Sequence, residues 1–177
     1  NNVYVVDSEQ ARIQVFDSAG KFLQSWGEFG SEQEQFSTPH GIAISNDGVV
    51  YVADTQNYRI QQFTTDGEFL SSFGIFGSGD DGLRTPVDVA IGENYIYVSD
   101  PANYKIVKYT LEGIFVASFD YNFGGYPIRP NGLIVDPEGN IYVTDSFKQS
   151  IIKIDPEGNT LKKFGGTGNG KGKFVEP

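Results

Sequence analysis

Four aspartates, Asp7, Asp54, Asp100 and Asp145, each close a Tyr-Val-x-Asp tetrapeptide and recur at spacings of 47, 46 and 45 residues. Three of them have a cation five residues on, Arg12, Arg59 or Lys105, whereas the fourth has Ser150. A carboxylate facing a cation can orient a proton, hold a polar ligand, or tie two strand ends together. Recurrence in every copy favours the last, because catalysis needs such a group once and a repeated structure needs it in each unit. An exposed pair of this kind is worth about 0–1 kcal/mol. The aspartates therefore read as hairpin ties that accept backbone hydrogen bonds and pair with Arg12, Arg59 and Lys105.

The remaining chemistry-bearing residues are few. His40 is the single histidine and there is no cysteine, so neither a multi-histidine metal site nor a thiolate nucleophile can be assembled. His40 follows Pro39 and reads as a loop residue. No nucleophile and base stand in recognisable relation, and no glycine-rich loop cradles a phosphate. Nothing in these residue types calls for a cofactor.

The elements that position these residues repeat with them. Tyr51 to Phe63, YVADTQNYRIQQF, has close copies in YVVDSEQARIQVF at 4–16, YVSDPANYKIVKY at 97–109 and YVTDSFKQSIIKI at 142–154. Each half is short, rich in β-branched and aromatic residues and free of helical period, so each copy predicts two antiparallel strands joined by a four-residue loop. A short apolar strand precedes the pair, as in Gly41 to Ile44, and another follows an Asp-Gly type turn, as in Glu68 to Phe73. Pro39, Pro86, Pro130 and Pro177 mark the onset of successive copies. Four antiparallel strands at a period near 45 residues predict an all-β fold, a β-propeller of four-stranded blades, in a single domain over 1–177. The copies divide as 1–39, which lacks its inner strand, 40–86, 87–130 and 131–177.

The pattern P-x-G-I-A, a turn, Y-V-A-D-x-x-N-x-R-I-Q, a D-x-x-G turn and a Gly-rich loop resembles the NHL repeat. PHGIAI through YVADTQNYRIQQF to Gly67 and Pro86 follows it over a full unit. Departures accumulate along the chain: the Arg becomes Lys105 and then Ser150, and the Gly two places after the proline becomes Asp88 in the third copy. The resemblance implies a closed propeller, commonly of six blades. About four blades are present, so the expectation is an arc of a larger propeller, its open faces covered by further blades or by a neighbouring subunit. The absence of methionine points the same way, and the acidic, cysteine-free composition leans towards an exported protein.

In a propeller, the loops from the outer strand to the next inner strand and those between the second and third strands share one face around the channel. This places His40, Asp88, Arg129 and Asn131 at the channel mouth, with Asn57, Tyr58, Asn103 and Tyr104 further out, as candidate ligand-binding residues. The aromatic exit loop DYNFGGYPIRP offers Tyr121, Phe123 and Tyr126 to a partner. A second resemblance, from Pro130 to Asp145, is to the blade of lactone-hydrolysing propellers whose Asn ligates a divalent metal. It implies Asn131 and the displaced Asp88 as ligands for Ca2+ or another divalent cation, an oxygen set that is small for such an ion.

A formal net charge of −10 disfavours nucleic acid, whose binding draws on Lys and Arg releasing counterions. Lys162, Lys163, Lys171 and Lys173 form a basic stretch that reads as a solvated loop. No segment has the length and apolarity of a membrane-spanning helix. The reading is a non-catalytic module that binds a protein or glycan surface, with metal-dependent lactone hydrolysis as the alternative.

Overall fold

Val50–Asp54 and Tyr95–Asp100 are buried along almost their whole length, whereas Ile141–Asp145 alternates buried and half-buried residues. A strand whose sheet is covered on both faces has no solvent-facing side, and one covered on a single face alternates. The computed structural model, which describes residues 2–120, 122–123 and 126–177, shows the arrangement behind this difference. Its four main sheets stack in a row, so the second and third are sandwiched and the first and fourth each keep one open face.

The first sheet has three antiparallel strands, Val3–Asp7, Arg12–Phe16 and Phe22–Trp26. The second runs Pro39–Ile44, Val50–Asp54, Arg59–Phe63, Phe69–Phe73; the third Asp88–Ile91, Tyr95–Asp100, Lys105–Thr110, Phe115–Asp120; the fourth Pro130–Val135, Ile141–Asp145, Ser150–Ile154, Thr160–Gly165. In every sheet spatial order equals chain order, as hairpin connections require. Each Asp of the repeat pairs directly with the residue five places on, as Asp54 with Arg59 and Asp145 with Ser150. The inner strands Pro39–Ile44, Asp88–Ile91 and Pro130–Val135 lie side by side. The predicted four-residue loop of the second copy closes as a single 3-10 turn, Thr55–Asn57, and the fold among the described residues is otherwise strands and turns.

Three apolar clusters fill the three spaces between four sheets. Ile13, Phe36, Val52 and Phe63 pack between the first and second, Tyr51, Ile60, Val98 and Tyr109 between the second and third, and Tyr97, Ile106, Ile141 and Ile152 between the third and fourth. Each sheet therefore depends on its neighbours for burial, the property that makes such arrays near-neighbour structures.

The exit loops carry more structure than their glycine content suggests. Glu28–Phe29 pairs in parallel with Gln35–Phe36, and Ile75–Phe76 with Gly82–Leu83. Phe36 and Leu83 are thereby turned inward and fully buried. Gly27, with φ +95°, closes the outer strand below Phe36, and a Cβ there would lie 2.6 Å from the Phe36 ring. Only glycine satisfies both the left-handed backbone and the close approach.

Candidate functional site

The recurrent aspartates are where the loop face is assembled. Asp54, fully buried, accepts the Ser37 backbone N–H at 2.7 Å and side-chain hydrogens from Asn57, Arg59 and Gln61 at 2.9, 2.8 and 3.1 Å. Ser37 belongs to the exit loop arriving from the first sheet, so the carboxylate clamps one unit's loop to the next unit's hairpin. Arg59 extends the clamp by donating to the carbonyls of Glu32 and Gln35. Asp100 repeats the arrangement with the Arg84 and Thr85 N–H groups, and Asp145 with that of Arg129. The structural reading of these residues gains a wider role than a hairpin tie: they join consecutive blades.

One expected pairing is corrected. Lys105 does not bridge to Asp100; its ammonium donates to the Gly79 carbonyl at 2.5 Å and to that of Asp80 at 2.8 Å. Asp100 already takes both Asn103 N–H groups and the two loop amides, and the curled loop presents bare carbonyls within reach of the lysine. Asp7–Arg12 and Asp54–Arg59 do pair, at 2.9 and 2.8 Å.

The candidate ligand residues fall into two groups. Asn57 and Asn103 are used by the fold: Asn57 donates to the Gly30 carbonyl and to Asp54, Asn103 to the carbonyls of Gly77 and Gly82 and to Asp100. Tyr58 and Tyr104 both have φ +58°, which turns their rings out from the hairpin tips. Tyr58 packs on Phe76 with ring centroids 4.6 Å apart, and the Arg129 guanidinium lies 5.9 Å from the Tyr104 ring. Phe29 and Phe76, 78% and 65% exposed, stand at matching places in consecutive loops, with Ile75, 58% exposed, next to Phe76. Sequence reading passed over these three, although the W-G-E-F-G-S and F-G-I-F-G-S repeats carry the signal. Of the third-loop candidates, Tyr121 lies outside the described residues, and Phe123 and Tyr126 are described as backbone partners in a short antiparallel ladder.

At the channel wall the structure brings together Gly41, Asp88 and the start of the fourth sheet. Asp88 accepts the Leu133 N–H at 2.7 Å and the Val89 N–H at 2.9 Å. Burial pushes its carboxyl above the usual range, and those two N–H groups partly oppose the rise. A Cβ on Gly41 would sit 2.5 Å from both Asp88 Cα and Oδ1, so the glycine of one copy makes room for the aspartate of the next. Asn131 is exposed, and its carbonyl accepts the Ser99 hydroxyl at 2.6 Å. His40 is also exposed, with Nδ1 3.0 Å from the Thr38 carbonyl oxygen and 3.4 Å from Thr55 Oγ1. Asp88 and Asn131 thus lie in one neighbourhood held by strand-to-strand hydrogen bonds. Among the described residues no three or more His, Asp or Glu side chains gather in one place.

A concavity of about 850 Å³ opens at the opposite end of the inner strands, where Asp47, Glu93, Tyr95, Tyr97, Asp136 and Glu138 line it. These residues sit in or beside the turns between first and second strands, and turn chemistry masked them in the sequence. Lys108 reaches under the rim, its Nζ 3.9 Å from the Tyr95 ring centroid and donating to the Pro156 carbonyl. Burial lowers its basicity, an effect that Glu157 opposes. Burial raises the Asp136 carboxyl, but the Asn140 and Lys153 hydrogen bonds outweigh it and hold the group at about 2.

Four-stranded antiparallel sheets stacked with their inner strands side by side define a β-propeller, here an arc of about four blades. Residues 36–63, in the second blade, match the family model of the NHL repeat. Virginiamycin B lyase from Staphylococcus aureus superposes with a TM-score of 0.74 at 17% identity, over 99% of this chain and 60% of that one. A catalytically inactive histidine-to-alanine form of that lyase with quinupristin gives 0.71 at 17%, over 93% and 52%. A nidogen–laminin complex gives 0.69 at 17%, over 92% and 58%. The chain thus spans between half and three fifths of these structures, and at such identities the likeness is one of fold. No curated protein matches the chain in sequence.

Proposed function

We propose that this chain is a non-catalytic NHL-type propeller module that docks a protein or glycan surface on its loop face. The observation that carries the reading is the exposure of Phe29, Ile75 and Phe76, 58% or more each, on loops that the buried Asp54 and Asp100 hold in place. Exposed aromatics on rigid supports supply contact area with little entropy lost on binding. The nidogen neighbour, whose structure is a complex with laminin, is consistent with a propeller used for protein association. The remaining polar residues support the same reading, because Asn57, Asn103 and the aspartates spend their hydrogen bonds inside the fold.

Affinity capture by immobilised wild-type chain, set against a Phe29→Ser/Phe76→Ser variant of unchanged melting temperature, tests the proposal. A partner retained by the first and lost by the second is expected; equal capture by both overturns the loop-face assignment. The alternative of metal-dependent lactone hydrolysis rests on Asp88 and Asn131. Calcium-dependent turnover of a simple lactone that disappears in Asn131→Ala would establish it in place of the docking role.

A further inference from the structure

Asp145 Oδ2 and Ser150 Oγ are buried atoms without a hydrogen-bond partner, and their residues are both 0% exposed. They face each other directly across the second and third strands of the fourth sheet. The other copies treat the same carboxylate differently. Asp7 takes Arg12 and Gln14 on one oxygen, Asp54 takes Asn57, Arg59 and Gln61 on one oxygen, and Asp100 Oδ2 takes the Arg84 N–H and the Asn103 amide. The positions of Asn57, Arg59 and Gln61 are filled in the fourth copy by Lys148, Ser150 and Ile152, and no hydrogen bond reaches Oδ2. Oδ1 meanwhile keeps three backbone donors, Arg129, Phe147 and Lys148, each at 3.1 Å.

The fourth copy therefore retains the anion while its Oδ2 atom receives no hydrogen bond. In each of the other three copies the residue five places after the aspartate is a cation. Arg12 and Arg59 bind the carboxylate, and Arg59 and Lys105 also hold two carbonyl oxygens of the overlying loop. Serine in place of arginine or lysine at this position removes that residue's charge and sets a hydroxyl on the strand position paired with the carboxylate. A buried carboxylate oxygen with no donor is strongly disfavoured unless a cation or donor meets it.

We propose that the fourth blade binds a small hard metal cation between Asp145 Oδ2 and Ser150 Oγ, in the place the Arg59 guanidinium fills in the second blade. An oxygen set with one carboxylate suits Ca2+ at the weak end of protein sites, with Kd on the order of 10⁻⁴–10⁻³ M. The ion would rivet the hairpin of this blade as arginine rivets that of the second.

The test is thermal unfolding of the chain in metal-free choline chloride buffer, titrated separately with CaCl2, MgCl2 and NaCl to about ten times the expected Kd. At least one ion raises the midpoint saturably, by roughly 2–5 °C for a domain of this size. Asp145→Asn abolishes the rise. Ser150→Arg rebuilds the pair of the second blade, so its midpoint is raised in metal-free buffer and no longer responds to the ion. Tb3+ luminescence excited through tyrosine, displaced by Ca2+ in the wild type and absent in Asp145→Asn, reads binding independently of stability. Flat titrations with all three ions and no Tb3+ signal would overturn the site and leave a water molecule as the bridge. A metal response that persists in Asp145→Asn would also overturn it.

Discussion

Replacement of each recurrent aspartate by asparagine, which keeps the shape and removes the charge, should give destabilisations that follow the surroundings and not the motif. In the first blade the Asp7 and Arg12 side chains are 22% and 42% exposed, so solvent screens the pair and Asp7→Asn should lose about 0–1 kcal/mol. In the second blade Asp54 is 0% and Arg59 16% exposed. Asp54→Asn leaves the guanidinium without its counter-charge and turns an amide N–H2 towards the donors of Asn57, Arg59 and Gln61. Breaking a buried, hydrogen-bonded pair on one side costs about 3–5 kcal/mol. Asp100→Asn loses acceptor capacity for loop amides but strands no paired cation, so about 1.5–3 kcal/mol is expected. Asp145→Asn loses no bond at Oδ2 and should be near neutral in metal-free buffer. Urea unfolding at constant m separates these values cleanly. Losses for Asp54→Asn and Asp7→Asn that agree within about 1 kcal/mol would refute the claim that burial sets the strength of the clamp.

Gly41→Ala should destabilise by about 1–3 kcal/mol or more, because its Cβ would meet the Asp88 backbone at 2.5 Å and the inner strands would have to part; the same urea assay reads it, and a neutral result would mean the wall is slack. Alkaline stability should fall as Tyr97 ionises. Burial, with Tyr95 and Glu157 nearby, raises its phenol to about 12, so its contribution is whole below about pH 10 and lost as pH rises through about 12. Tyr97→Phe should flatten the pH–stability curve in that window, and an unchanged slope would contradict it. At the acid end Asp136 is held down to about 2, so its contribution is present above about pH 4 and lost as pH falls through about 2; Asp136→Asn should remove that part of the slope.

Much of the fold was legible because a propeller blade is a local object. Period, strand composition and Asp-Gly turns gave four units with strand limits within a residue or two, since each hairpin needs only its own sequence to close. The open aromatics escaped notice: Phe29 and Phe76 have the same residue type as the buried Phe36 and Phe63, and type alone does not tell an exposed ring from a plugged one. The parallel ladders of the exit loops were likewise hidden, because glycine-rich sequence is equally compatible with an irregular loop.

The sequence by itself determined the blade, its repeat and the location of a clamp residue in each copy, all of which rest on spacings within about 50 residues. Only the tertiary structure decided what each clamp holds. Lys105 turned to loop carbonyls because Asp100 was already saturated by amides, and Asp145 Oδ2 was left without a hydrogen bond where Ser150 and Ile152 stand in place of Arg59 and Gln61. Such outcomes depend on which donors from the preceding blade arrive within about 3 Å, the range in which a hydrogen bond forms, and that proximity is created by stacking one unit on the next.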